Sequence, residues 1–126
     1  PIDGLSNRGV NSYNWELYKL SQLSNLKVLP VIISETGWSR VDISDAEIAQ
    51  YMELSYFGNH GRYAELPEEG WVPWIEDRRV LAVTPFALAG NPNEWEAFNW
   101  LNVEPDGTIT STRPVFDVIA ERFVSN

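Results

Sequence analysis

The sequence predicts an α/β fold in which parallel strands are joined by crossover helices. Two apolar runs, Val28-Leu29-Pro30-Val31-Ile32-Ile33-Ser34 and Val80-Leu81-Ala82-Val83-Thr84-Pro85-Phe86-Ala87-Leu88, do not alternate apolar with polar residues. Unbroken runs of this kind suit strands buried on both faces. The runs lie too far apart in the chain for a hairpin, so they need a crossover and pair in parallel. Segments of helical period precede, separate and follow them.

Taken in order, residues 1–10 hold Gly4 and Gly9 without periodicity and read as a loop. Asn11 or Ser12 can cap a helix over 12–25, where Tyr13, Leu17, Leu20 and Leu23 recur at helical spacing and Asn25 is a stop. The first strand covers 28–34, with Pro30 near its start, where a missing N–H is tolerated. It runs into Glu35-Thr36-Gly37-Trp38, which sets a carboxylate at the strand's C-terminal end. Ser44-Asp45-Ala46-Glu47 has the spacing of a capping box and opens a helix over 45–57, with Ile48, Tyr51, Met52 and Tyr56 inward. Gly58-Asn59-His60-Gly61 closes it. Residues 62–70, with Pro67 and Gly70, form a loop, and 72–79 a short helical turn with Pro73 in its first turn. The second strand covers 80–88, weakened by Pro85. Gly90-Asn91-Pro92-Asn93 is a turn cluster, and 94–112 reads as a long loop with Trp95, Trp100 and a tight turn at Pro105-Asp106-Gly107. The last helix covers 114–124, with Val115, Val118, Ile119 and Phe123 on one face. A sheet of two parallel strands cannot cover its edges and faces, so further strands or further copies of the chain are expected.

Composition narrows the chemistry. The 126 residues carry 9 Lys+Arg against 18 Asp+Glu, a formal charge of −9, so no nucleic-acid partner is expected. No apolar run is long enough for a transmembrane helix, and no membrane partner is expected. The absence of cysteine excludes disulfides, thiolate zinc sites and a cysteine nucleophile within these residues. His60, the single histidine, sits between Asn59 and Gly61 as an exposed turn residue, so a multi-histidine metal site is excluded and neither metal nor cofactor is expected. Aromatic residues are dense: Trp 6, Tyr 5 and Phe 5. Indole faces pack on the C–H faces of sugars, and they also fill large cores. Trp15, Trp71 and Trp74 are read as packing residues, and Glu68-Glu69 as a solvated loop face. The first residue is Pro1 rather than Met, which reads as an excised piece of a longer polypeptide.

Glu35 is the strongest site candidate, because ligands of α/β folds bind at the carboxyl ends of the strands. The competing structural reading has it cap a loop or pair with Arg40. The segment Pro30-Val31-Ile32-Ile33-Ser34-Glu35-Thr36-Gly37-Trp38 resembles the seventh strand of clan A glycoside hydrolases, the (β/α)8 barrels of the cellulase and β-glycanase kind. Val80-Leu81-Ala82-Val83-Thr84-Pro85-Phe86 resembles their eighth strand, and Phe98-Asn99-Trp100-Leu101 through Pro105-Asp106-Gly107 with the closing helix resembles the barrel's C-terminal end. The resemblance implies a partial TIM (β/α)8 barrel covering nearly the whole chain. It also implies a retaining O-glycosyl hydrolase of β-linked glycans in which Glu35 is the catalytic nucleophile. Such enzymes use two carboxyl groups about 5–5.5 Å apart, one attacking the anomeric carbon and the other serving as acid/base.

The family's acid/base glutamate ends the fourth strand, usually after Asn, and this chain is expected to begin beyond that point. Asn93-Glu94 has the dipeptide but sits in a loop, and is read as a coincidence. The isolated chain is therefore expected to be inactive or nearly so. Trp38, Trp95, Trp100 and Tyr13 are the candidate substrate-binding residues for an oligo- or polysaccharide. The expected partner beyond carbohydrate is a second copy in a homo-oligomer, or the missing N-terminal part of the barrel. Secretion would suit a polysaccharide-degrading parent, although the residues themselves assign no location. Against the enzyme reading stand a non-catalytic carbohydrate-binding domain and a self-associating α/β unit without ligand.

Overall fold

The structure is a computed structural model and describes residues 9–23, 29–66 and 72–125. In chain order the elements are α1 (Ser12–Leu23), β1 (Val31–Thr36), α2 (Asp45–Phe57), β2 (Val80–Pro85), a 3-10 turn (Glu96–Phe98), β3 (Leu101–Val103), β4 (Ile109–Thr112) and α3 (Pro114–Val124). The expected stop at Asn25, the glycine and proline of 67–70, Glu68-Glu69 and Trp71 lie outside the described residues.

α2 begins where its sequence dictates. The Ser44 side chain accepts from the Glu47 N–H while the Glu47 carboxylate accepts from the Ser44 N–H, closing the capping box. Those hydrogen bonds favour the ionised form and hold the Glu47 carboxyl below its usual range. Gly58, with φ 73°, ends the helix and donates its N–H to the Leu54 carbonyl. α3 starts on Pro114, whose missing N–H is of no consequence in a first turn.

β1 and β2 run parallel, with Val31 opposite Val80 and Ile33 opposite Val83. α2 lies in the connection between them, so the link is a helical crossover. The barrel is not formed. Among the described residues there is one parallel pair, β1–β2, and one antiparallel pair, β3–β4, with no eight-strand barrel. Closure needs a complete ring of tilted, staggered strands, which two parallel strands cannot supply. The stretch read as a long loop supplies the second pair: β3 and β4 face each other across the Pro105-Asp106-Gly107 turn, with Leu101 opposite Thr112. Gly107 takes φ 87° there, a conformation that costs glycine least.

The core lies between the helices and one face of β1–β2. Met52, Trp74, Val115, Ile119, Phe57 and Trp100 are buried in it, and Val31, Ile33, Val80 and Val83 pack against it. Tyr56 meets Trp74 edge to face with ring centroids 5.2 Å apart, and Phe123 closes over Tyr56 and Phe57. The other face of the strand pair is open. Ile32 is 65% exposed and Leu81 66%, so the expectation of strands buried on both faces is corrected to strands buried on one.

Candidate functional site

β1 does not end as a regular strand. Its register against β2 slips between Ile33 and Thr36, and within that slip Glu35 has φ 60°. A left-handed conformation at a residue with a Cβ costs roughly 1–2 kcal/mol. Such irregularities re-aim side chains at strand ends and are found near functional sites. Gly37 follows with φ 154°, and a Cβ there would meet the Phe86 carbonyl at 3.1 Å. The absence of a side chain lets the chain leave β1 close against the end of β2. The Phe86–Ala87 peptide bond at that end is cis.

Glu35 is exposed and borders a cleft of about 480 Å3 lined by residues 31–38, by Gly9 and Val10, by Ser12, Tyr13 and Glu16 of α1, and by Trp74. Among the described residues no Arg or Lys lines it. Arg40 is turned elsewhere: its Nε donates to Asp45 Oδ1 at 2.8 Å, one terminal nitrogen donates to the Asn99 carbonyl at 2.7 Å, and the other donates to the Glu96 carbonyl. The expected alternative, a Glu35–Arg40 pair, is therefore not formed. Among the described residues no cation pairs with Glu35.

The aromatic candidates separate. Trp38 is half-buried, lines the cleft and lies 5.5 Å from the ring of Tyr51 at a tilt of 53°. Tyr13 also lines the cleft, but its hydroxyl donates to Asp77 Oδ2 at 2.8 Å and its ring is buried. Burial, followed by the neighbouring Asp77 carboxylate, pushes the phenol up to about 12. Asp77 in turn accepts two bonds from the Arg79 guanidinium, at 2.9 and 2.6 Å, and these hold its carboxyl well below the usual range. Tyr13 is thus one member of a fixed polar network.

Trp100 is 5% exposed and belongs to the core, so it presents no open ring face. Its backbone explains why: its N–H reaches the Ala87 carbonyl at 3.0 Å, and its carbonyl accepts from the Arg113 N–H at 3.0 Å. Trp95 is exposed, yet it packs edge-on against Phe86 at 5.0 Å and does not line the Glu35 cleft. The structure therefore brings together Glu35, Trp38 and Tyr13 and leaves Trp95 and Trp100 outside. Sequence reasoning missed Ser12, Glu16 and Trp74 as cleft residues. Ser12 and Glu16 are one helical turn apart, and Tyr13 and Glu16 three residues apart, so helical spacing alone could have placed them on one face.

Glu16 lines the same cleft, while Glu94 and His60 lie elsewhere. Glu94 sits in the turn after Asn91, and His60 Nε2 lies 2.8 Å from Glu76. Among the described residues no group of His, Cys, Asp or Glu side chains could hold a metal ion, and no helix is long and apolar enough to cross a membrane. The chemistry available in the cleft is that of two carboxylates, Glu35 and Glu16, and the Trp38 indole. Comparison with protein-family models, curated proteins and solved structures gives no match for this chain.

Proposed function

We propose that the mouth of this cleft binds a β-linked glycan and that Glu35 is the nucleophilic carboxylate of a retaining glycoside hydrolase whose acid/base comes from outside this chain. The observation that supports the reading most directly is the placement of Glu35. A carboxylate with no cationic partner among the described residues stands at a bulged strand end and borders a cleft that the half-buried Trp38 also lines. A carboxylate already locked in an ion pair would be a poorer nucleophile. The Trp38 indole would carry the apolar face of the sugar while a Glu35 oxygen attacks the anomeric carbon. The C1–O bond breaks, the leaving group departs with its electron pair, and a glycosyl ester remains on Glu35. Water later cleaves the ester.

Natural leaving groups need a proton from the acid/base, but a dinitrophenolate does not. Incubation of the full chain with 2,4-dinitrophenyl 2-deoxy-2-fluoro-β-glycosides therefore isolates the first step. The expected result is a mass increase of one fluoroglycosyl group on the peptide that contains Glu35, absent in Glu35→Gln. Absence of the adduct across gluco, manno and galacto probes, or an equal adduct in Glu35→Gln, would remove the nucleophile assignment. A binding site without turnover is the second reading, favoured by the adjoining rings of Trp38 and Tyr51. It predicts saturable oligosaccharide binding that is lost in Trp38→Ala, together with no adduct.

A further inference from the structure

A second pocket adjoins Trp74. It holds about 200 Å3 and, among the described residues, is lined by 80–83 of β2, by Tyr56 near the end of α2, by Trp74 and Ile75 of the segment before β2, and by Phe123 of α3. Trp74 is the one described lining residue that it shares with the Glu35 cleft. Two backbone bonds set its walls: the Trp74 N–H donates to the Ser55 carbonyl and the Ile75 N–H to the Tyr56 carbonyl, both at 3.0 Å. They pin that segment to the end of α2, so the pocket is preformed.

The lining side chains carry two polar atoms. One, the Trp74 indole N–H, is engaged with the Val10 carbonyl at 2.8 Å. The other, the Tyr56 hydroxyl, has no hydrogen-bond partner among the described residues, although Tyr56 is 8% exposed. Nor is it sealed in. Among the described residues Arg113 Nε is the one unpartnered side-chain polar atom shut off from solvent, so the Tyr56 oxygen reaches open space. A buried hydroxyl without a partner is unfavourable, and a Phe would fill the same place without that cost. The side chains give a water one partner, where an ordered water makes about two to four hydrogen bonds. Burial raises the phenol to about 12, so it stays a donor throughout the neutral range. A lone donor in an apolar pocket is matched by an acceptor carried on an apolar body.

Size and charge narrow the class. An apolar cavity of about 150 Å3 holds a benzene ring, so about 200 Å3 suits a single ring with a short substituent. The rings of Tyr56, Trp74 and Phe123 favour an aromatic body. A carboxylate would bring an unpaired charge into this lining, so the acceptor is neutral.

We propose that this pocket binds a small, neutral, single-ring aromatic molecule that presents one acceptor oxygen to the Tyr56 hydroxyl. The proposal goes beyond the glycan reading and does not rest on it: a missing glycosyl adduct would leave it untouched.

The test titrates the full chain with acetophenone, whose ring carries one carbonyl oxygen, and with α-methylstyrene, its planar counterpart without an acceptor. Calorimetry and backbone-amide NMR shifts follow the binding. Saturable binding of acetophenone is expected, with the largest shifts at the residues that line the pocket. α-Methylstyrene should bind about fivefold more weakly, the effect of one buried hydrogen bond. Tyr56→Phe should weaken acetophenone by about the same fivefold and leave α-methylstyrene unchanged, with an unaltered amide spectrum elsewhere showing that the fold is kept. Benzoate should show no saturation. The proposal is overturned by no saturable binding of acetophenone, by equal affinity of the two neutral compounds, or by equal loss of both in Tyr56→Phe. Benzoate binding as tightly as acetophenone, or shifts confined to the Glu35 cleft, would overturn it as well.

Discussion

Glu53 and Glu35 are both glutamates beside aromatic rings, and the fold treats them in opposite ways. Glu53, on α2, is fully buried, with Arg62 Nε at 2.8 Å, Arg122 at 3.5 Å and the Tyr63 hydroxyl donating to its other oxygen. A buried charge survives only when paired and hydrogen-bonded in this way. Glu35 stands exposed at the end of β1, in a backbone conformation its side chain disfavours. The helical half of the molecule pairs its buried Glu53 charge internally and supplies most of the core. Among the described residues the strand pair keeps one face exposed and the Glu35 carboxylate without a cation, and those are the features a ligand can use.

That division is broken first by attacking the well-packed side. Trp74 is 2% exposed, packs on Tyr56 and donates its indole N–H to the Val10 carbonyl at 2.8 Å. Trp74→Ala is expected to cost about 3–5 kcal/mol in urea unfolding; a loss below about 1 kcal/mol would place the core elsewhere. Next comes the alkaline limb. Burial raises the Tyr56 phenol to about 12 from an ordinary 10.0. A group whose folded value lies above its unfolded one contributes stability below the lower value and loses it as pH rises through the higher. The melting temperature should therefore fall as the pH rises from about 10 towards 12. Tyr13, raised to the same value, feeds the same fall, so Tyr56→Phe should flatten it in part, and an unchanged slope would show that Tyr56 does not contribute.

The strand half should respond in the other direction. Glu35→Asn keeps a residue that tolerates the left-handed region and relieves the cost of a long side chain there. It should raise stability by roughly 1 kcal/mol while abolishing the glycosyl adduct. A destabilised variant would mean that the Glu35 side chain contributes contacts to the fold. The smallest effect belongs to Ile32, 65% exposed on the open face. Ile32→Thr should change unfolding free energy by less than about 0.5 kcal/mol; a loss several times larger would mean that this face is covered in solution.

The helices were legible because their signals are local. The Ser44 capping box, the Gly58 stop and the start at Pro114 each act within one turn of chain. The two apolar runs were legible as strands for the same reason. The β3–β4 pair was hidden because β4, Ile109–Thr112, is exposed at every position and carries no run of apolar residues. Its turn at Pro105-Asp106-Gly107 was visible, but the alternation of Leu101-Asn102-Val103-Glu104 before it is too short to mark a strand, and the flank after it has no apolar partner run. The barrel inferred from resemblance failed because strand number is a property of the assembled sheet, which two runs do not determine. At the site, the position of Glu35 followed from the end of an apolar run. Its left-handed backbone did not, since nothing in the residue type demands it. The burial of Trp100 and the engagement of Tyr13 with Asp77 depend on partners far away in sequence, which periodicity does not see.

The three-way grip of Arg40 has a consequence for how the cleft's surroundings can vary. It ties the exit of β1 to Asp45 at the start of α2 and to two points on the segment after β2, and at those two points it bonds main-chain oxygens of Glu96 and Asn99. Because that anchorage ignores side-chain identity, exposed neighbouring positions such as Asn93 and Glu94 can be rewritten while the segment stays docked. That segment is thus built to accept new chemistry without surrendering its address.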